Sequence, residues 1–265
     1  MKTKLSLFSG WGILYVFLLA SPIMAQSNRY FTHDWGVRLG GERDEGYSPL
    51  NYNGLGIMVQ AGLEKEKSTR LSRVDMKFSF APLKNKVGRQ MNSYSAVLQT
   101  HDFYGYDSTK HLFFGWSNTN FFTIRDFSDQ TNFSGRMDYF TAFGPSALLE
   151  KRFQLFKRSF TFEVPFQWSL LGFTIRSGFI NSAPIGFETA TEDEGAFTSL
   201  VNSVRMFSPF NSIHFNYSPR LKFEFYNGNA IALQYKYSFT RLNGEHLSVM
   251  SRGLWSFQIL MKLSN

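Results

Sequence analysis

The chain has 265 residues, a formal net charge of +8 at pH 7 and no cysteine. The absence of cysteine excludes disulfides, thiolate nucleophiles and cysteine-ligated metals. Aromatic residues make up 18% of the chain and charged residues another 18%, so apolar and polar side chains must be interleaved, as is typical of alternating strands. The basic residues stand singly rather than in one patch with aromatics between them, which argues against nucleic-acid binding.

The first 25 residues have the pattern of a cleavable signal peptide. Lys2 and Lys4 form a basic start, an apolar stretch follows, and small residues precede Gln26. We therefore predict a signal peptide over residues 1–25 and one mature domain over residues 26–265. Cleavage removes two basic and no acidic residues, which leaves a charge of +6. The alternative is an uncleaved N-terminal membrane helix, because the apolar stretch is nearly long enough to cross a bilayer.

The rest of the chain has no stretch of the ~20 uninterrupted apolar residues that a spanning helix needs. Instead, apolar and polar side chains alternate. In residues 160–170, for example, Phe162 and Phe166 fall on one parity and Glu163 and Gln167 on the other. Such runs continue for about ten residues or more, which is the length that a tilted strand needs to cross a membrane. If the mature chain is in a membrane, it spans as strands.

This alternation predicts an all-β fold, a transmembrane antiparallel up-and-down barrel of about ten strands, within a range of eight to twelve. Closure is expected because an open sheet edge in lipid would leave backbone donors and acceptors unpaired. An even number of strands also places both termini at the same end of the barrel. The predicted strands cover residues 30–40, 55–63, 74–80, 93–106, 111–126, 139–153, 160–170, 213–226, 231–239 and 250–263.

The predicted connections alternate in length, as this topology requires. The longest outward loop is long enough to fold inward or to carry binding residues. The short turns, which would face the periplasm, are predicted at residues 65–67, 107–109, 155–157 and 227–229. The outward connections are predicted at residues 41–53, 82–92, 127–138, 177–211 and 243–247.

With a signal peptide that ends at Ala25, Phe- and Tyr-rich alternating strands and a last strand over residues 250–263, the chain resembles outer-membrane β-barrel proteins of the Bacteroidota type. The resemblance covers the mature chain and is one of architecture, without a subfamily. It implies export to the outer membrane of a Gram-negative bacterium, contact with outer-membrane lipid, and handling by the barrel-insertion machinery. Many such barrels end on an aromatic residue, whereas here Trp255 and Phe257 lie further in and Asn265 is last.

Charged residues of both signs fall on the polar parity and would share a narrow lumen. If they pair, they seal it with a hydrogen-bonded network, since unpaired buried charges are costly. The alternative is a selective pathway for a small solute, although ten strands give little more room than eight, which side chains nearly fill. The predicted lumen residues are Glu64, Arg73, Asp75, Lys77, Glu163, Arg220, Lys222, Glu224 and Lys236.

Ser212 and His214 are weak candidates for catalysis. They lie two residues apart and so share one strand face, on which Asn216 follows. Outer-membrane barrels of ten and twelve strands include proteases and phospholipases that hold such groups near a barrel rim, but neighbouring polar residues occur on one face of any polar lumen. No ligand spacing supports a metal site, and we expect no cofactor.

Two further groups of residues are candidates for contact with the membrane or its lipopolysaccharide. Glu192, Asp193 and Glu194 form an acidic cluster in the longest loop, which is either solvated or binds a divalent ion that bridges lipopolysaccharide.

Aromatic residues on the apolar parity are expected to face lipid or the membrane interface as anchors. The expected membrane anchors are Trp116, Trp168, Tyr235, Trp255 and Phe257, with Tyr30 and Trp35 on the same outward face.

No catalytic motif decides the function. We expect a non-enzymatic barrel with a structural or binding role through its extracellular loops, either alone or as a subunit of an envelope complex with an unknown partner. Two alternatives stay open: a narrow channel for small solutes, and a barrel-rim hydrolase that acts on lipid or peptide. The ligand, the partner and the oligomeric state have no transferable code in the sequence.

Overall fold

The fold is described from a computed structural model, in which every regular element among the described residues is a β-strand. It describes residues 28–45, 48–67, 69–105, 111–127, 135–176, 204–243 and 246–263. The predicted signal peptide, the predicted turn at residues 107–109 and the acidic cluster Glu192–Glu194 lie outside the described residues. Within those ranges, no helix is long and apolar enough to cross a membrane.

The strands are β1 (Asn28–Asp44), β2 (Ser48–Lys67), β3 (Arg70–Lys84), β4 (Gln90–Gly105), β5 (Leu112–Asp126), β6 (Gly135–Leu155), β7 (Arg158–Ser169), β8 (Leu171–Arg176), β9 (Arg205–Phe207), β10 (Ser212–Tyr217), β11 (Arg220–Glu224), β12 (Ala230–Leu242) and β13 (Ser248–Leu263).

These segments form one closed antiparallel barrel. Segments β7 and β8 are two halves of a single barrel strand, and β9, β10 and β11 together form the next one, so the barrel has ten strands. It closes where β1 pairs with β13, from Arg29–Leu263 to Asp44–Ser248. The predicted all-β, ten-stranded antiparallel barrel is therefore confirmed. Closure pairs the edges that an open sheet would leave free.

The strands are strongly tilted to the barrel axis. The row of directly paired residues that starts at Trp35 reaches Tyr139 on β6 when it is followed through β2, β3, β4 and β5. Followed the other way, through β13, β12, β11 and β7, it reaches Lys151, twelve residues further along β6. A ten-stranded barrel with this stagger has a tilt of about 40° and a backbone radius of about 10 Å. Long side chains from opposite walls meet in a lumen of this size.

Side chains alternate between a polar inside and an apolar outside. On β1, Asp34 and Arg38 are fully buried in the lumen, whereas Trp35, Val37 and Leu39 are about half exposed on the outer surface. A soluble barrel buries its apolar face instead. The barrel wall is therefore polar inside and apolar outside, which is the reverse of a water-soluble barrel.

One extra residue at the junction of β7 and β8 reverses this alternation. Ser146 on β6 pairs with Gln167, but three residues earlier Phe143 pairs with Leu171, which is four residues later. Because of this β-bulge, the odd-numbered residues of β7 point into the lumen, whereas in β8 the even-numbered residues do. The neighbouring strands β6 and β7 approach closely here, because a Cβ at Gly144 would lie 2.0 Å from the carbonyl oxygen of Trp168.

Several predicted loops are too long, because the strands continue beyond the ends of the apolar runs. Most residues of the predicted connections 41–53 and 82–92 lie in strands β1 to β4, and residues 135–138 of the predicted connection 127–138 lie in β6. Strands β8 and β9 flank residues 177–204. Residues 65–67, predicted as a turn, pair with β3 as the end of β2. Backbone pairing continues after the outward side chains become polar, so hydropathy alternation stops before the ladder does.

Two of the predicted short turns have the backbone geometry of tight hairpins. Phe156 and Lys157 connect β6 to β7 with φ of 50° and 60°, the pair of positive angles that a type I′ turn requires. Between β11 and β12, Gly228 has a φ of 82°, and the amide of Asn229 donates to the side chain of Asn227. Both turns lie at the barrel end that holds residues 28 and 263.

Candidate functional site: the charged lumen

Four of the predicted lumen residues form one buried ion-pair cluster, named here the lower layer: Glu64, Arg73, Glu163 and Arg220. Arg73 donates to Glu64 at 3.0 Å and also to Glu163, and Arg220 donates to Glu64 at 2.9 Å and to Glu163 at 2.7 Å. Each guanidinium thus bridges both carboxylates. The residues come from β2 and β3 on one side of the barrel and from β7 and β11 on the other, so the layer crosses the lumen.

Lys222 and Glu224 lie below this layer, toward the end with the short turns. Their ion pair has an N–O distance of 3.1 Å, and Glu224 is partly exposed at the rim. The ammonium of Lys222 lies 5.7 Å from the ring centroid of Tyr30, which is buried inside the barrel. The prediction that Tyr30 faces lipid is therefore wrong, because the even-numbered residues of β1 point inward, as the buried Thr32 shows.

A second cluster, the upper layer, crosses the lumen near the opposite end. Glu42 accepts hydrogen bonds from Arg38, from Arg125 at 3.0 Å and from Arg252 at 2.6 Å. Arg125 also donates to Asp44 at 2.7 Å and to Asp138 at 2.8 Å. The upper layer consists of Arg38, Glu42, Asp44, Arg125, Arg136, Asp138, Arg176 and Arg252, from β1 and β13 on one side and β5, β6 and β8 on the other.

None of the residues of the upper layer is among the predicted lumen residues. Glu42, Asp44 and Asp138 fall in segments predicted as loops, where an acidic residue is usually solvated. For Glu42 and Asp44 the identifying signal is the parity of β1, whose even-numbered positions from Asp34 to Asp44 are all charged residues or glycine.

Between the two layers the lumen holds a polar cavity of about 60 Å³. Lys77 and Asp75 line it, as does Lys236, which donates to Asp34 at 3.2 Å and to Gln60. Gln60 also donates to Asp75 at 2.9 Å. This volume is large enough to hold several water molecules. The nine predicted lumen residues are thus divided between the lower layer, its rim and the walls of this cavity.

The structure does not bring Ser212 and His214 together as a nucleophile and a base. Both are buried and point inward, but His214 Nδ1 hydrogen-bonds to the hydroxyl of Thr240 at 2.9 Å and its ring packs on Phe140. In the part of the chain that the structure describes, His214 makes no hydrogen bond to Ser212, the contact that serine activation needs. Asn216, further along the same face, donates to Gln167 at 2.8 Å. No group of three or more His, Asp or Glu among the described residues is placed to hold a metal ion.

The aromatic residues predicted as membrane anchors lie on the outer surface. Trp116, Trp168, Trp255 and Phe257 are about half exposed there, and Tyr235 packs on Trp255 with a ring-centroid distance of 4.9 Å. Toward the end with the short turns, outward side chains become charged: Arg70 and Asp102 form an ion pair at 2.5 Å, joined by Ser72 and Tyr104. This group marks one edge of the apolar belt.

The fold and the lumen define the class of protein: a closed ten-stranded antiparallel barrel with an apolar exterior and an ion-paired interior. No protein-family model matches the chain, and no curated protein matches it.

Solved structures with a similar backbone include Neisserial surface protein A (10% identity over 88% of this chain and 97% of that one, TM-score 0.38). The β domain of the Bordetella autotransporter BrkA has 10% identity over 90% and 99% of the two chains, with a TM-score of 0.42. The P. putida toluene transporter TodX has 8% identity over 91% of each chain, with a TM-score of 0.31. Likenesses of this size assign no family, and the functions of these proteins are not carried over to this chain.

Proposed function

We propose that the chain is an integral outer-membrane barrel with a sealed lumen, whose role is structural or consists in binding through its outward loops. The polarity of the wall supports a membrane location. Ile57, Phe114 and Leu233 are 66%, 50% and 55% exposed on the outer surface, which would be unfavourable in water and is favourable in lipid. The closed ladder also satisfies the backbone where no water is present.

The topology supports one orientation. The short turns at Phe156–Lys157 and 227–229 lie at the same end as residues 28 and 263, the arrangement of periplasmic turns in bacterial barrels. The connections around residues 85–89 and 177–204 leave the other end and would face outward. This is the end nearer the upper layer, so any loop-binding surface would sit above a sealed lumen.

The observation that carries the proposed role is that two ion-pair layers cross the lumen. A solute would have to pass between Arg220 and Glu163 in the lower layer and between Arg125 and Glu42 in the upper layer. Breaking a buried pair leaves an uncompensated charge, which costs about 3–5 kcal/mol in each case. The geometry therefore favours a structural or binding barrel over an open channel.

The test is conductance in planar bilayers with the refolded mature chain. Folding is verified first by the mobility shift between unboiled and boiled samples on a denaturing gel. We expect no current above that of the bare membrane, with the boiled preparation as the control. Defined current steps from the heat-modifiable preparation would instead support the narrow channel, for which the polar cavity between the layers is the supporting observation.

Location and orientation are tested with single cysteines, because the chain has none of its own. Lys86→Cys lies in the β3–β4 connection and Lys157→Cys in the opposite turn, and both positions are exposed. In whole cells, a membrane-impermeant maleimide is expected to label position 86 and not position 157, and to label both after lysis. Labelling of 157 alone in whole cells would show the reverse orientation, and a chain found in the soluble periplasm would contradict the membrane location.

The hydrolase alternative is tested by turnover of lipid and peptide substrates in detergent micelles. We expect none above buffer. Turnover that is lost in His214→Ala, in a variant that still shows the heat-dependent mobility shift, would contradict the non-enzymatic role.

A further inference from the structure

A polar patch interrupts the apolar outer surface of the barrel. Asn118 and Asn120 lie on the outward parity of β5, whose other face carries the buried Ser117 and Thr119. On the outward parity, Trp116 precedes the two asparagines and Phe122 follows them. The amides therefore lie inside the apolar belt and not at its polar edges.

The patch continues on both neighbouring strands. Asn118 is directly paired with Thr100 on β4, and Asn120 with Thr141 on β6. These four residues, Thr100, Asn118, Asn120 and Thr141, are named here the amide patch. It carries hydroxyls and carboxamides and no charge. Apolar side chains border it, among them Phe143, whose ring stacks on Trp116 with a centroid distance of 5.2 Å.

The hydrogen bonds within the patch leave some N–H donors of the two asparagines unused. Asn120 Nδ2 donates to Asn118 Oδ1 at 2.6 Å, and the hydroxyl of Tyr139 donates to Asn120 Oδ1 at 3.3 Å. Asn118 Nδ2 reaches the carbonyl oxygen of Ala142 only at 3.5 Å, the limit of a hydrogen bond. Each carboxamide nitrogen carries two hydrogens, so both asparagines keep a donor that these bonds do not use. Lipid tails offer it no acceptor.

We infer that the amide patch is the contact surface between two copies of this chain. Two barrels inserted in the same direction pair about a two-fold axis along the membrane normal, and this axis brings identical residues face to face at equal depth. Two copies of a charged residue would repel each other there. A carboxamide or a hydroxyl carries both a donor and an acceptor and pairs with its own copy. The amide patch contains only groups of this kind, so its chemistry is self-complementary, as a two-fold contact needs.

This inference rests on the proposed membrane location and is independent of the sealed lumen. It predicts that Asn118 of one copy lies near Asn118 of the other, and Asn120 near Asn120. Buried in the contact, the free amide donors would find acceptors on the second copy. Interhelical asparagines in membranes associate through the same interaction.

The test uses single cysteines in the full chain, expressed in its own outer membrane. Asn118→Cys and Asn120→Cys are each treated with a short bifunctional maleimide, and the product is separated on a denaturing gel. We expect a cross-linked band of twice the chain mass from either position. The matched control is Ser251→Cys, also on the outward parity but on β13, across the barrel from β5, which is expected to stay monomeric.

A second pair of variants tests the chemistry of the contact. In detergent, Asn118→Asp with Asn120→Asp places like charges against each other and is expected to weaken dimerisation at pH 7 at least tenfold, as measured by light scattering. Ser251→Val is expected to leave the dimer unchanged. All variants are checked for heat-modifiability, so a folding defect is recognised.

The outcomes separate the two proposals. A heat-modifiable barrel in the membrane fraction that gives no cross-link at 118 or 120 overturns the dimer and leaves the membrane proposal standing. A cross-link of any other mass shows that a different protein covers the patch and overturns the second copy as its occupant. A chain that is not in the membrane fraction overturns both proposals.

Discussion

Arg125 on β5 donates through Nε to the carboxylate of Glu42 on β1 at 3.0 Å, although 83 positions separate the two residues in the chain. Both side chains are fully buried. The pair spans the lumen, and Glu42 also accepts hydrogen bonds from Arg38 and Arg252. One carboxylate thus pairs with three guanidinium groups, and for Arg38 and Arg252 it is the carboxylate partner that the described residues supply.

Replacing this carboxylate is expected to be strongly destabilising. Glu42→Gln leaves three buried arginines without their shared anion, and we expect a loss of about 3–5 kcal/mol in the free energy of unfolding. The measurement is urea unfolding in lipid vesicles, followed by tryptophan fluorescence. Glu45→Gln is the matched control, because the Arg43–Glu45 pair is exposed and is worth about 0–1 kcal/mol. Equal effects of the two substitutions would contradict a central role for Glu42.

Conductance is expected to appear only when both layers are weakened. Arg125→Ser removes one guanidinium group from the upper layer, and Arg220→Ser removes one from the lower layer. In each single variant the other layer still blocks the lumen. We therefore expect bilayer current from the double variant and none from either single variant. Arg152→Ser is the control, since Arg152 lies largely exposed at the lower rim outside both layers. Current from one single variant would mean that only one layer seals the barrel.

The outer surface is expected to tolerate charge according to depth. Leu233→Arg places a guanidinium on the outward face of β12, between Ile231 and Tyr235 within the apolar belt, and should cost about 2–4 kcal/mol in vesicles. Leu112→Arg, on the outward face at the first residue of β5, should cost about 0–1 kcal/mol. Urea titration of both variants measures the difference. Similar costs at the two positions would contradict lipid contact at Leu233.

The β6–β7 turn offers a stabilising substitution. Phe156 and Lys157 both adopt positive φ, a conformation that is strained for most residues and natural for Asn-Gly in a type I′ turn. The double replacement Phe156→Asn with Lys157→Gly should therefore raise the unfolding free energy by about 1 kcal/mol. Phe156 is 88% exposed, so its loss removes little packing. Lys157→Gly alone is the comparison and should recover part of the gain, whereas a decrease in both variants would argue against the turn geometry.

How far the sequence could predict the site depended on where each residue fell relative to the apolar runs. Glu163 and Arg220 stand inside clear alternation, so their inward direction follows from parity. Asp138 stands beyond the end of such a run, and nothing local distinguishes it from a solvated loop residue, whereas Glu42 is distinguished by the parity of β1. Tyr30 shows a different limit: its aromatic ring resembles an anchor, but the parity of its strand places it in the lumen.

The sequence by itself determined the class of fold, because the alternation of apolar and polar residues is a local property. It continues over about ten residues in each predicted strand and can be recognised in each segment independently. Only the tertiary structure decided which charges meet. Strand pairing and the stagger of twelve residues bring Glu64 and Arg220, 156 positions apart, into one layer. The bulge between β7 and β8 turns Arg176 inward, into the other layer. Such contacts depend on the accumulated register of the whole barrel, which no single segment of the chain contains.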